Sequence, residues 1–150
     1  ILLDPVSIRK SRRVKDIIGG FHTIKLNKHE AEFLSDIKIE DARGLKKAVD
    51  YFIDKGVKRV FITLGEKGVY YGESDYTNTY KAPKISVVNA TGAGDAFMAG
   101  VVYGNLYDKG IDEIAKFSTA AAILALKHQE TVNPNMSIEN INKIMEEIEC

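Results

Sequence analysis

The chain has 150 residues, of which 45% are apolar and 28% charged, and its 21 basic side chains are balanced by 21 acidic ones. There is apolar material for one core, no low-complexity tract, and no net charge to draw the chain to nucleic acid or to an anionic membrane. No apolar run approaches the roughly 18 residues that would span a bilayer, and a single cysteine, Cys150, excludes an internal disulfide framework and fits a reducing compartment.

The expectation is therefore a cytoplasmic globular domain with no nucleic-acid or membrane partner. Its opening "ILLDP", without an initiator Met, reads as an interior strand of something longer.

In chain order, Ile1 to Leu3 read as a short strand ended by Asp4-Pro5, because proline has no N–H to give to a ladder. A basic helix is expected over about Ser7 to Ile18, with "RKSRRVK" as its solvated side or as help with an anionic ligand. "HTIKLN" alternates like a strand, and "KHEAEFLSD" has helical composition with Ala31 and Leu34 on one face. Leu45, Val49, Phe52 and Ile53 recur at helical spacing, and Gly56 stands where a left-handed residue ends a helix. "VKRVFITLG" and "VYYG" are strands joined by "EKG", and "KISVVN" reads as the next strand. Three helical patterns close the chain: Ala96 to Tyr107, Ile111 to Leu126, and the repeat Ile138, Ile141, Met145, Ile148. Strands alternating with helices predict a largely parallel sheet covered by helices.

The chemistry concentrates in "NATGAGDAFMAG", Asn89 to Gly100. Gly92, Ala93 and Gly94 carry little or no side chain, so their N–H groups can converge on a negative oxygen at a helix start. Asp95 beside such a site either complements the helix N-terminus or acts as a general base on a hydroxyl, and the sequence leaves both readings open. A Walker loop would need a Lys after the glycines, a dinucleotide fingerprint a third Gly where Phe97 stands, and a nucleophile elbow a G-x-S-x-G.

"VVNATGAGDAFMAG" resembles the C-terminal signature of the ribokinase (PfkB-type) family of carbohydrate and nucleoside kinases, D-T-x-G-A-G-D-x-F. The resemblance implies a three-layer α/β/α fold with a mostly parallel sheet. The chain would be its C-terminal, ATP-binding and catalytic portion, without the N-terminal half that carries the lid. It implies Asp95 as the base, with the backbone around Gly92, Ala93 and Gly94 as the anion hole and Thr91 beside the nucleotide. The usual first Asp is Asn89, which unsettles any carboxylate role there, including one toward a monovalent cation such as K⁺.

Two further segments join the resemblance. "LNKHEAE" matches the family's N-x-x-E motif, which implies that Asn27 and Glu30 serve Mg²⁺ and phosphate; its bland alternative is a helix capping box. "TLGEKG" resembles the T-x-G-x-x-G nucleotide loop, implying ATP contacts at Thr63, Gly65 and Gly68, and is otherwise a hairpin turn. "STAAAILALKHQETVNP" resembles the adenine-pocket helix and loop, with Ala121 and Leu124 as pocket or core positions; His29 and His128 read as surface or structural residues.

"DPVS", "TVNPNMS" and the Asn in first place resemble the branch of the family that phosphorylates pseudouridine. The implied substrate is a nucleoside or sugar, with a homodimer or association with the missing half to cover the sheet edge and no turnover by the 150 residues alone; the alternatives are another sugar or nucleoside kinase of the family, or a non-catalytic nucleotide-binding fragment.

Overall fold

The computed structural model describes every residue except Thr131 and Cys150, together with the placement of the Glu149 side chain. Cys150, and Thr131 of "TVNPNMS", thus lie outside the described residues. The chain divides into two compact units, Ile1–Lys81 and Ala82–Cys150.

The first unit is a five-stranded sheet in the order β1 (Leu2–Leu3), β2 (Thr23–Asn27), β3 (Arg59–Thr63), β4 (Val69–Glu73) and β5 (Tyr76–Tyr80). β1, β2 and β3 pair in parallel, while β4 is antiparallel to both β3 and β5, so four of the five strands share one direction. Period-two alternation divides the side chains between the faces. Ile24, Leu26, Val60 and Ile62 join one buried cluster with Ala31 and Leu34 of helix α2 (Lys28–Ser35) and Ala48, Val49 and Phe52 of helix α3 (Ala42–Asp54). Phe61 and Tyr71, register partners one residue off that pattern, stack with ring centroids 6.1 Å apart.

Helix starts follow local chemistry. Asp41 caps α3 by accepting from the Gly44 N–H at 2.9 Å, and Gly56, just past its end, has the expected left-handed φ of 112°.

Three sequence expectations are corrected. The basic helix is only α1 (Ile8–Ser11), followed by a 3-10 segment at Lys15–Gly20. Arg13 and Val14 donate to carbonyls three residues back, and the run of like charges gives a longer helix no i,i+4 support. β5 was not foreseen, because "YTNTY" is polar and mostly exposed, with no apolar face to announce a strand. "KISVVN" forms no strand: the Val88 N–H goes to the Leu126 carbonyl at 2.9 Å, and Val87 and Val88 are exposed.

The second unit comprises helices α4 (Ala93–Leu106), α5 (Ile111–Leu126) and α6 (Ile138–Glu149). α4 and α5 are antiparallel and nearly in backbone contact. A Cβ at Gly100 would lie 2.6 Å from Ser118 Cα, and one at Gly104 would lie 2.4 Å from Ile114 Cγ1, so no larger residue fits either position unshifted. Phe117, Ala120, Ala121 and Ile123 of α5 and Ile141 and Ile144 of α6 form the core, with Tyr103 stacked on Phe117 at 4.8 Å. Among the described residues no helix is long and apolar enough to cross a membrane.

Candidate functional site

In the first unit the candidate residues gather at the carboxyl ends of the parallel strands, where open α/β sheets bind ligands. Asn27 ends β2 and Thr63 ends β3, and the two are register partners. Asn27 is also the N-cap of α2. Its Oδ1 accepts from the Glu30 N–H at 2.9 Å, and Glu30 Oε2 accepts from the Asn27 N–H at 2.8 Å. This is a complete capping box, the alternative the sequence had left open, and it fixes both candidate ligands. Glu30 is only 1% exposed, and burial raises its pKa above the ordinary value, against the lowering effects of the Asn27 N–H and the Lys25 charge.

Behind the box lies a pair that sequence reasoning left outside the site. Lys25 Nζ donates to Asp4 Oδ2 at 2.9 Å, with side chains 10% and 13% exposed. A lysine inside the otherwise apolar "TIKLN", two residues before Asn27 and hence on the same side of the strand, was the available signal. Asp4 also accepts from the Val6 N–H at 3.0 Å.

"TLGEKG" turns β3 into β4 through a short 3-10 segment, Gly65–Lys67. Gly65 (φ 62°) and Gly68 (φ 94°) take left-handed conformations that L side chains disfavour. The loop is closed by Leu64 N–H to Gly68 O at 2.8 Å and Gly68 N–H to Gly65 O at 3.0 Å. The Thr63 hydroxyl donates to the Leu26 carbonyl at 3.3 Å.

In the second unit the motif residues open α4. Gly92 is its N-cap with φ 87°, and no side chain caps the turn. Ala93, Gly94 and Asp95 occupy the first turn, whose N–H groups have no earlier helical carbonyl to meet. Gly94 and Asp95, both in this uncapped first turn, are exposed. Ahead of them Asn89 Oδ1 accepts from the Thr91 N–H at 2.9 Å.

Ala121 is 1% exposed inside the helical core and Leu124 is half-buried against it. Any contribution of Ala121 to a nucleotide pocket is thus made by shaping the helix from behind. His29 is a surface residue, 3.5 Å from Glu32, while the His128 ring accepts from the Glu130 N–H at 3.1 Å.

Among the described residues no three His, Cys, Asp or Glu side chains converge on a metal position. Magnesium asks for less: it keeps several waters and takes one or two protein carboxylates alongside substrate phosphates. The hard oxygens of Asn27 and Glu30 suit that role. Glu30 Oε2 and Asn27 Oδ1 are both engaged in the capping box, which fixes the pair at the end of β2.

Comparison with known proteins shows the family. Residues 1–138 match the model of the pfkB family carbohydrate kinases. The chain is 35% identical to the pseudouridine kinase of Escherichia coli over its whole length, covering 48% of that protein. A candidate sugar kinase from Clostridium perfringens superposes with a TM-score of 0.94 at 40% identity, over 97% of this chain and 46% of the other. Arabidopsis thaliana ribokinase, solved with ribose and ATP, superposes at 0.78 with 25% identity over 87% and 43%. The chain spans about half the length of these relatives.

Proposed function

The chain belongs to the pfkB family of carbohydrate kinases, and on that footing we propose that it carries the ATP-binding and catalytic portion of a kinase that phosphorylates the 5′-hydroxyl of a nucleoside, with pseudouridine the leading substrate. The observation that carries the reading is the start of α4, where a left-handed Gly92 opens a first turn that no side chain caps and in which Gly94 and Asp95 are both exposed. Pseudouridine is favoured over ribose or fructose by the identity to a pseudouridine kinase across the whole chain.

In this reading Asp95 accepts the proton of the attacking hydroxyl. The deprotonated substrate oxygen then bonds the γ-phosphorus of ATP as the bond to the β–γ bridging oxygen breaks and ADP departs. The amides following Gly92, those of Ala93, Gly94 and Asp95, hold the negative charge on the transferring group, at a helix end that already favours anions. In the first unit Thr63, Gly65 and Gly68 are nucleotide contacts; in the second, Thr91, Ala121 and Leu124 contact or support the nucleotide. Asn27 and Glu30 would hold magnesium through waters, and when bound that ion neutralises charge on the phosphate oxygens.

The setting is cytoplasmic, and the chain acts with a second copy or with the remainder of a kinase about twice its length. The 150 residues alone are expected to bind nucleotide without turnover.

The test is a panel of nucleosides and sugars offered with MgATP to the complete reading frame that contains the chain. Preferential turnover of pseudouridine is expected, and preferential turnover of ribose or fructose would overturn the substrate assignment. Potassium is varied in the same assay, because Asn89 at the head of the loop brings no charge to a cation.

A further inference from the structure

The loop that feeds α4 is tied to the end of α5 by backbone and to the loop after α5 by one side chain. Val88 and Asn89 donate their backbone N–H groups to the Leu126 carbonyl at 2.9 and 3.4 Å. The Asn89 Nδ2 then donates to the Gln129 carbonyl at 2.8 Å, while its Oδ1 accepts from the Thr91 N–H. Gln129 lies in the loop three residues beyond Leu126, near the C-terminus of α5, whose own last carbonyls carry the negative end of the helix dipole. Asn133 serves the same helix end from the other side, donating to the Leu124 carbonyl at 2.9 Å. Each end of the Asn89 carboxamide therefore does a different job: its oxygen shapes the turn into Gly92, and its nitrogen fixes that turn to α5.

We propose that Asn89 is a positioning residue that clamps the Thr91–Asp95 turn to the loop after α5 through a donor that an aspartate at this place could not supply. A carboxylate could still accept from the Thr91 N–H but would set its second oxygen against the Gln129 carbonyl, at the helix end least suited to negative charge. The neutral amide is then the residue the clamp requires. The proposal rests on the kinase reading for its catalytic consequence, and on the hydrogen bonds alone for its structural one.

The test compares Asn89→Asp and Asn89→Ala with wild type in the complete reading frame. Asn89→Asp keeps the turn and loses the clamp, whereas Asn89→Ala loses both. Both variants are expected to lower kcat and raise KM for ATP, each by roughly three- to tenfold, the range set by one hydrogen bond. Rates are taken per nucleotide-competent site, so a fold-only role would lower the melting temperature and leave these constants unmoved. Asn89→Asp with wild-type kcat and KM, with or without added potassium, overturns the clamp.

If the wild-type frame phosphorylates nothing on the panel, the kinase reading fails separately. The clamp is then judged by hydrogen exchange in the chain itself. Slowed exchange of the Asn89 carboxamide relative to exposed Asn142, together with Thr91 N–H protection kept in Asn89→Asp and lost in Asn89→Ala, supports it. An Asn89 carboxamide that exchanges as fast as that of Asn142 overturns it.

Discussion

Asn27 and Thr63 are register partners at the carboxyl ends of two adjacent parallel strands, and the Thr63 hydroxyl reaches back across the pair to the Leu26 carbonyl at 3.3 Å. The pairing brings together residues of two separate motifs, N-x-x-E and T-x-G-x-x-G, which lie 36 positions apart in the chain. Parallel pairing needs a crossover, here supplied by α2 and α3, and that crossover is what makes the two motifs neighbours.

Replacing Asp95 by Asn removes the proton acceptor while keeping the size of the side chain. In the complete kinase this is expected to slow phosphoryl transfer by about two to four orders of magnitude. ATP affinity, measured by titration calorimetry, should hardly change. A turnover number equal to wild type would show that Asp95 only complements the helix start.

Glu30 closes the capping box, and one substitution separates that role from the metal role proposed for it. Glu30→Gln keeps an oxygen for the Asn27 N–H but loses the charge, so the helix start should survive while activity falls and is partly restored by excess Mg²⁺. Asn27→Ala removes the cap itself and is expected to cost about 0.5–2 kcal/mol of stability by chemical denaturation. Equal impairment of Glu30→Gln at every Mg²⁺ concentration would count against a metal role.

Burial raises the Glu30 pKa above its ordinary value of 4.5, so between the unfolded and folded values the native state binds more protons than the unfolded one. Stability from this group is fully present below the unfolded pKa and is lost as pH rises through the folded one. Glu30→Gln cannot titrate, so its stability relative to wild type should increase as pH is raised from about 4 toward neutrality. Denaturation curves across that window that keep a constant difference between the two proteins would contradict the desolvation argument.

Much of this was legible in the sequence, and the reasons for the rest are physical. The strand "HTIKLN", the helices from α2 onward and the left-handed Gly56 follow from periodicity and steric rules that act within a few residues. "KISVVN" has the β-branched composition of a strand, yet strand formation depends on a neighbour, and its Val88 N–H finds a helix end instead. In the site, the N-x-x-E spacing announced the capping box. The buried Asp4–Lys25 pair joins positions 21 apart, a relation no local pattern encodes.

The close approach of Gly100 to Ser118 predicts two opposite outcomes. Ser118 Oγ is buried without a hydrogen-bond partner, so Ser118→Ala should be neutral or slightly stabilising, because it removes an unmet polar group at no loss of contact. Gly100→Ala points a methyl at the Ser118 backbone from 2.6 Å, and backbone cannot swing aside as a flexible side chain can. The helices must separate, at a cost of about 1–3 kcal/mol. Because α4 opens with Gly92 to Asp95, the shift should also lower the activity of the complete kinase beyond what its stability loss explains. Gly100→Ala with wild-type stability would mean that the two helices are not held at this separation.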